Sequence, residues 1–357
     1  MKEATTMVVV GADVHKRSHT FVAVDVQGQQ LAQITVRADS RGHDKAIRWA
    51  QKEFGTTDLR WAVEDCRHLS ARLEIDLLEA GQRVVRVPPK MMAEQRRTAR
   101  TRGKSDPIDA LAVARAAQRE PGLPVATHDE ESRELKLLVD HRDDLVKHRT
   151  AVVNRFRWHL HRIDPSVDPG PKTLNRAVKR AELVEFLADL PGIDARLSRE
   201  LLDDIEALTV RINALEREIT SVITQRAPAL LDLPGCGALG AAKIVGEVAG
   251  ISRFADEAKF AMHAGVAPIP VWSGSTRGRV RLNRAGNRQL NAALHRIALT
   301  QIQRDGAGRA YDDKRLAAGD SKTEALRCLK RRLARVVFNT LTRQPSTAAV
   351  TCLPAAA

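Results

Sequence analysis

Residues 7–36 read MVVVGADVHKRSHTFVAVDVQGQQLAQITV, and the spacing of their apolar positions decides the fold class. Residues 7–11 form a short apolar run, 20–26 alternate, and Gly28 stands in a turn before a third run at 31–36. That pattern predicts three strands in a meander. Working outward, a helix is expected near 44–54, a fourth strand at 59–64 (LRWAVE) and a helix at 69–80 ended by Gly81. A fifth strand, 83–87, stops at Pro88-Pro89. Helical sequence resumes near Met91 and again over 107–118, where Pro107 suits a first helical turn. The order βββαβαβα predicts an α/β domain over residues 1–125.

The rest of the chain reads as helical. A polar, Pro-containing linker at 121–132 leads to a long helix over about 134–163, broken by a Pro/Gly stretch at 164–171. A second long helix carries Leu197, Leu201, Ile205, Leu208, Ile212, Leu215, Ile219 and Ile223. Those three- and four-residue steps make a coiled-coil seam. It serves an intramolecular helical hairpin, a dimerisation arm, or both, within a segment 126–228. Residues 233–246, LPGCGALGAAKIVG, place a Gly-rich turn before a small-residue helix, in the manner of a helix-hairpin-helix element. There backbone N–H groups can meet a phosphate; tight helix packing is the plainer reading. Residues 280–341 look mostly helical, giving a C-terminal domain over 229–345 and a loose tail at 346–357.

Charge and composition narrow the partners. The chain has 357 residues with 58 Lys plus Arg against 44 Asp plus Glu, a formal charge of +14. A polyanion is the expected partner, and 43 of the 58 bases are Arg, whose bidentate fork suits phosphate. Only 12 residues are aromatic, which argues against modules that stack bases on aromatic platforms. The longest stretch free of Asp, Glu, Lys and Arg, 260–276, holds Gly265, Pro268, Pro270 and Gly274 and is no membrane span. Cys66, Cys236, Cys328 and Cys352 are too scattered for a zinc site or disulfide framework, so a reducing cytoplasm is expected.

Four carboxylates fall where chemistry would need them. Asp13 ends the first predicted strand in GADVHK, and Glu64 ends the fourth in WAVEDC. Asp106 and Asp109, in KSDPIDA, share a helix face at i and i+3. A sheet of this order makes the first and fourth strands neighbours, so their ends meet beside that helix. Hard oxygen ligands suit Mg²⁺ or Mn²⁺, the ions of phosphodiester chemistry. Taken singly, each acid also reads as a turn, cap or first-turn residue, and Asp65 competes with Glu64. Together they read as an RNase H-like site. Beside them Lys90, Arg96, Arg97, Arg100, Arg102 and Lys104 face a single acid, Glu94, and form a candidate nucleic-acid track. Further on, GVAPIPVWSGSTRGRVRLNRAGNRQLNAALHRIAL surrounds Ser273-Gly274-Ser275 with Arg277, Arg279, Arg281, Arg284, Arg288 and Arg296. Guanidiniums beside a flexible serine would lower its effective pKa and stabilise charge on an attacked phosphate; an ordinary Ser/Gly loop before a basic helix is the alternative.

These motifs in this order resemble the insertion-sequence 110/116/902 transposases, over about residues 7–343: GADVHK, AVEDC, KSDPIDA, LPGCGALGAAKIVGE, GVAP…WSGS, RLNRAGNRQLNAAL and YDDKRLAAGDSKTEALRCLKRRLARVV. The resemblance implies a RuvC-like, DEDD N-terminal domain and a C-terminal domain with a catalytic serine. It assigns the quartet to Asp13, Glu64, Asp106 and Asp109, with Mg²⁺ or Mn²⁺, and the nucleophile to Ser273, which would form a phosphoserine bond to DNA. Many relatives read Ser-Ser-Gly-Gly where this chain reads Trp272-Ser273-Gly274-Ser275, so Ser275 competes. The resemblance further implies element-end and target DNA as partners, an element-encoded bridge RNA as guide, and homodimers assembling to tetramers with composite sites. The location it implies is cytoplasmic and nucleoid-associated. A metal-dependent Holliday-junction nuclease would need the carboxylates but not Ser273, and a non-catalytic nucleic-acid-binding protein would need neither.

Overall fold

The computed structural model describes residues 7–343 except 56–58, 65–66, 99–102, 104, 121, 127–128, 171, 277–279 and 283–285. It divides into two compact units, residues 1–129 with 252–259, and 130–251 with 260–357.

In the first unit β1 (Val8–Val14), β2 (Ser18–Val24) and β3 (Gln30–Arg37) form the expected meander. Asp25 shapes its second turn by accepting from the N–H groups of Gln27 and Gln29 at 2.9 and 2.8 Å, and Gly28 supplies the φ of +76° that the turn requires. Then come α1 (Ser40–Phe54), β4 (Leu59–Glu64), α2 (Arg67–Glu79), β5 (Arg83–Val87), α3 (Pro89–Thr98) and α4 (Asp106–Arg119). Asp39 caps α1 by accepting from Gly42 N–H at 2.8 Å. The sheet order is β3-β2-β1-β4-β5, with β1–β2 and β2–β3 antiparallel and β1–β4 and β4–β5 parallel. The first and fourth strands are neighbours, as the sequence implied.

Strand alternation sends the two sets of side chains to two cores. Val8, Val10, Ala12, Phe21, Trp61, Val63 and Val84 pack with α1 and α2 residues such as Ile47, Leu73 and Leu77. Val9, Val22, Ala62, Val85 and Val87 pack on the other face against Ala110, Val113, Ala114 and Ala117 of α4.

The second unit begins with α5 (Glu130–Ile163), a short 3₁₀ turn (Thr173–Asn175), α6 (Ala177–Ala188) and α7 (Ile193–Arg226). Glu131–Arg226, Arg142–Glu216, Arg149–Thr209 and His159–Asp194 pairs step down α7 as they step up α5, so the two helices run antiparallel. The apolar seam fills the space between them. Leu201, Ile205, Leu208 and Ile212 share a core with Leu145, Val152, Val153, Phe156 and Leu160. The coiled-coil periodicity is therefore satisfied within the chain, as a helical hairpin.

After α8 (Pro228–Leu231) and a turn in which Gly235 has φ +84°, α9 (Ala238–Val248) is buried from Ala241 to Val248. A Cβ on Gly246 would stand 3.0 Å from the Cα of Lys136, so α9 lies directly on α5. The glycine here serves tight packing. The chain continues through α10 (Glu257–His263), β6 (Pro268–Pro270), β7 (Val280–Leu282), α11 (Arg288–Gln303), α12 (Ala307–Ala317) and α13 (Lys322–Arg343). Residues 280–341 are mostly helical, as expected, but begin with the short strand β7; that hairpin and α6 were not anticipated. Buried charges pair across this unit: Lys243 Nζ donates to Asp143 Oδ2 at 2.5 Å, and Lys136 Nζ to Glu247 Oε1 at 2.5 Å. Among the described residues no helix is long and apolar enough to cross a membrane.

Candidate functional site

The carboxylates meet because α4 lies flat on β1 at Gly11. A Cβ there would sit 2.3 Å from Ala110 O and 2.4 Å from Ala114 N, so only glycine permits the approach. Two strand residues span about 6.6 Å, and four helix residues about 6 Å. One step from Gly11 to Asp13 therefore matches one step from Ala110 back to Asp106. Asp13 and Asp106 reach the same end of the sheet for that reason. Glu64 joins them through register: Ala12 faces Val63 across the parallel β1–β4 pair, and Asp13 and Glu64 are the next residues of each strand. Alternation from Ala62, which packs on α4, puts Glu64 on that same face. Asp65 lies outside the described residues.

The acids are not equivalent. Asp106 is half exposed; it is the first residue of α4 and not its cap, which is Ser105. Asp109 is buried, and its Oδ1 stands 3.1 Å from Arg96 Nε without accepting a hydrogen bond. Burial above all, then the charges of Asp109 and Asp106, push the Asp13 carboxyl above the ordinary aspartate value of 3.8, while His15 pulls it down. His15 Nε2 lies 3.0 Å from Asp13 Oδ2 and 3.5 Å from Asp106 Oδ1. One ligand atom from each of Asp13, His15 and Asp106 falls within 4.8 Å of the others. Acids crowded this closely, with ligand atoms of Asp13 and Asp106 within 4.8 Å of each other, fit a divalent cation. Sequence reasoning quoted GADVHK but did not single out His15; its signal was an imidazole two residues past the strand-end acid.

The basic track is only partly placed. Arg96 pairs with Asp109 and keeps part of its side chain exposed; Arg97 is exposed. Arg100, Arg102, Lys104, Arg277, Arg279 and Arg284 lie outside the described residues. Arg281 and Arg288 are exposed.

In the second unit Ser273 and Ser275 are both exposed in the loop between β6 and β7. The hairpin's base is fixed from below. Gly265, at φ +67°, touches Gly286, where a Cβ would fall 2.2 Å from the Gly265 Cα. Asn287 N–H donates to His263 O at 2.6 Å, and its side chain both caps α11 at Leu290 N–H and donates to Glu247 Oε2 at 2.6 Å. Asn291 Nδ2 donates to Ala264 O and Gly265 O at 3.0 Å each, and Lys330 Nζ donates to Asn291 Oδ1 at 2.6 Å. The glycines and asparagines of GVAP and AGNRQLNAAL thus anchor the loop that carries the serines. The sequence marked these motifs without revealing that role.

Two family models match this chain: "Transposase" of the DEDD, IS110 type over residues 10–165, and "Transposase IS116/IS110/IS902 family" over residues 227–313. An uncharacterized 44.8 kDa protein of insertion element IS116 from Streptomyces clavuligerus is 29% identical, covering 92% of this chain and 93% of its own. One from IS900 of Mycobacterium paratuberculosis is 25% identical over 92% and 94%. The transposase of element IS1111A from Coxiella burnetii is 26% identical over 68% and 67%. Among solved structures, T. thermophilus RuvC in complex with a Holliday junction substrate matches at a TM-score of 0.25 and 18% identity, over 32% of this chain and 95% of that one. A superposition of that quality leaves the fold to be argued from the sheet order itself.

Proposed function

The chain belongs to the IS116/IS110/IS902 family of insertion-sequence transposases, and from that premise we propose a mechanism with two chemical parts, a divalent-metal site and a serine nucleophile. The observation that carries the proposal is the convergence of Asp13, Asp106 and Asp109, with Glu64 on the adjoining strand, at one end of a β3-β2-β1-β4-β5 sheet. That strand order supports an RNase H-like domain. A Mg²⁺ or Mn²⁺ ion bound there would neutralise a scissile phosphodiester and polarise it. Asp13 and Asp106 are the residues best placed to hold it, with Glu64 and Asp109 completing the quartet.

Ser273 is the proposed nucleophile. Its Oγ forms a bond to phosphorus as one ester P–O bond of the DNA strand breaks; the hydroxyl proton leaves with the departing oxygen. The phosphoserine ester keeps the energy of the original linkage, so the hydroxyl of a second strand can displace Ser273 and rejoin DNA. Arg281 and Arg288, exposed near the loop in sequence, supply charge for the phosphate. An element-encoded RNA would choose the DNA by base pairing, held through phosphate contacts that suit the charge of +14. Homodimers assembling to tetramers fit this reading. Because the α5–α7 seam is consumed within the chain, a subunit contact by this hairpin falls on its outer side, where Trp158 and Val210 are exposed. The place of action is the cytoplasm, at the nucleoid.

A recombination assay on plasmids carrying the element ends and flanks tests both parts. Ser273→Ala abolishes strand exchange while nucleic-acid binding stays within about twofold, and EDTA or Asp106→Ala abolishes cleavage. Full recombination by Ser273→Ala refutes the serine; unchanged activity in EDTA refutes the metal.

A further inference from the structure

His15 opens the turn between β1 and β2 and has no counterpart in the carboxylate quartet. Its backbone is pinned, with its N–H directed at Ser18 O (3.2 Å) and at His19 Nδ1 (3.3 Å). Its side chain is half exposed and reaches back to the acids, with Nε2 3.0 Å from Asp13 Oδ2 and 3.5 Å from Asp106 Oδ1. Asp109, whose charge also acts on Asp13, keeps a buried Oδ1 that accepts no hydrogen bond. The cluster is thus a histidine and two acids that converge, beside a third, buried acid whose Oδ1 stands 3.1 Å from Arg96 Nε.

We propose that His15 is a ligand of the divalent cation held by Asp13 and Asp106, and that its nitrogen shifts the preference of the site from magnesium towards manganese. Resting on the metal site proposed above, this adds a donor to it. Nε2 and Asp13 Oδ2 stand 3.0 Å apart, a hydrogen-bond distance that also leaves both atoms within reach of one cation. Asp106 Oδ1 needs only a small movement to take a third corner, and as a half-exposed first-turn residue it is placed to make one. Magnesium demands oxygen ligands and keeps its waters, whereas first-row transition ions accept imidazole readily. A carboxylate pair with one imidazole is therefore a different site from four carboxylates. The competing role for His15 is that of a hydrogen-bond partner that holds Asp13 in place and takes no part in binding the cation.

Metal-free, full-length protein titrated with Mn²⁺ in the absence of DNA separates these roles. Bound Mn²⁺ is counted by electron paramagnetic resonance, and its ¹⁴N coupling is read by spin-echo modulation. The wild type shows one histidine nitrogen coupled to the ion. His15→Ala loses that coupling and binds Mn²⁺ about tenfold more weakly, while Mg²⁺ affinity, measured by competition, moves less than about threefold. Should His15→Ala fold poorly by circular dichroism, His15→Gln is read in its place. Mn²⁺ bound without nitrogen coupling, or with coupling that survives loss of His15, overturns the ligand role and leaves the carboxylate site standing. No Mn²⁺ bound by wild type beyond that bound by Asp13→Asn overturns the carboxylate site and this inference together.

Discussion

Asp13 carries its charge against its surroundings. Burial, then Asp109 and Asp106, hold its carboxyl above 3.8 despite the opposing pull of His15. For an acid raised in the folded state, stability is greatest below the unfolded value and declines as pH rises through the folded one. At neutral pH, without metal, the charged form is thus a burden on the fold. Asp13→Asn is expected to melt higher than wild type in EDTA at pH 7, and Mg²⁺ to raise the melting temperature of wild type but not of the variant. A variant that melts lower in EDTA contradicts this. His19 behaves in the opposite sense. Desolvation, then the neighbouring His43 stacked at 5.1 Å, pull its pKa down from 6.5 to about 4. The unfolded chain binds a proton there below 6.5 and the folded chain does not until about 4. Stability is complete above that window and falls across it by the uptake of at most one proton. Denaturant melts at a series of pH values should show a slope between 6.5 and 4 that His19→Gln flattens; an unchanged slope removes His19 as its source. None of this was visible in the sequence, because burial of His19 depends on α1 folding across β2.

At the scale of elements, the strands and helices of the first unit were legible because their signals are local and repeated. Strands 59–64 and 83–87 have the predicted ends, and Gly81 and Pro88-Pro89 bracket the second. The β6–β7 hairpin was not legible: each strand is three residues long, too short to show a period, and two of the six residues are Pro. What holds that hairpin is the contact of Gly265 with Gly286, and this makes a sharp test. A methyl at position 286 would meet backbone at 2.2 Å, so Gly286→Ala must move the serine loop or the start of α11. The expected result is loss of strand exchange by at least about tenfold with metal binding by the first unit unchanged; recombination at the wild-type rate contradicts the anchoring. The seam of α7 carries a different lesson. Its heptad-like spacing was readable, but spacing cannot say which helix fills it, and the answer lay in α5. Phe156, fully buried in that core, is expected to cost about 3–5 kcal/mol when cut to alanine, measured by denaturant unfolding; a cost below about 1 kcal/mol would show the seam packed elsewhere.

At the scale of the whole molecule, the two candidate sites lie on two different units. One unit holds the acids and their sheet, the other the serine loop on a helical frame. The order of motifs along the chain was enough to place it in its family, and several of those motifs mark a backbone need: Gly11 for the approach of α4, Gly286 and Asn291 for the hairpin. The roles of those motifs required the fold, since Asp13 and Asp106 are far apart in sequence and meet only through a helix lying on a glycine. The net charge of +14 belongs to this scale as well, as the long-range attraction that brings nucleic acid to either unit. A covalent serine is tested by mass spectrometry of the protein recovered from a strand-exchange reaction and digested with nuclease and protease. The expected product is a nucleotide joined through phosphate to the peptide containing Ser273, lost in Ser273→Ala. A nucleotide on Ser275 or elsewhere, or completed strand exchange with no adduct under trapping conditions, contradicts it.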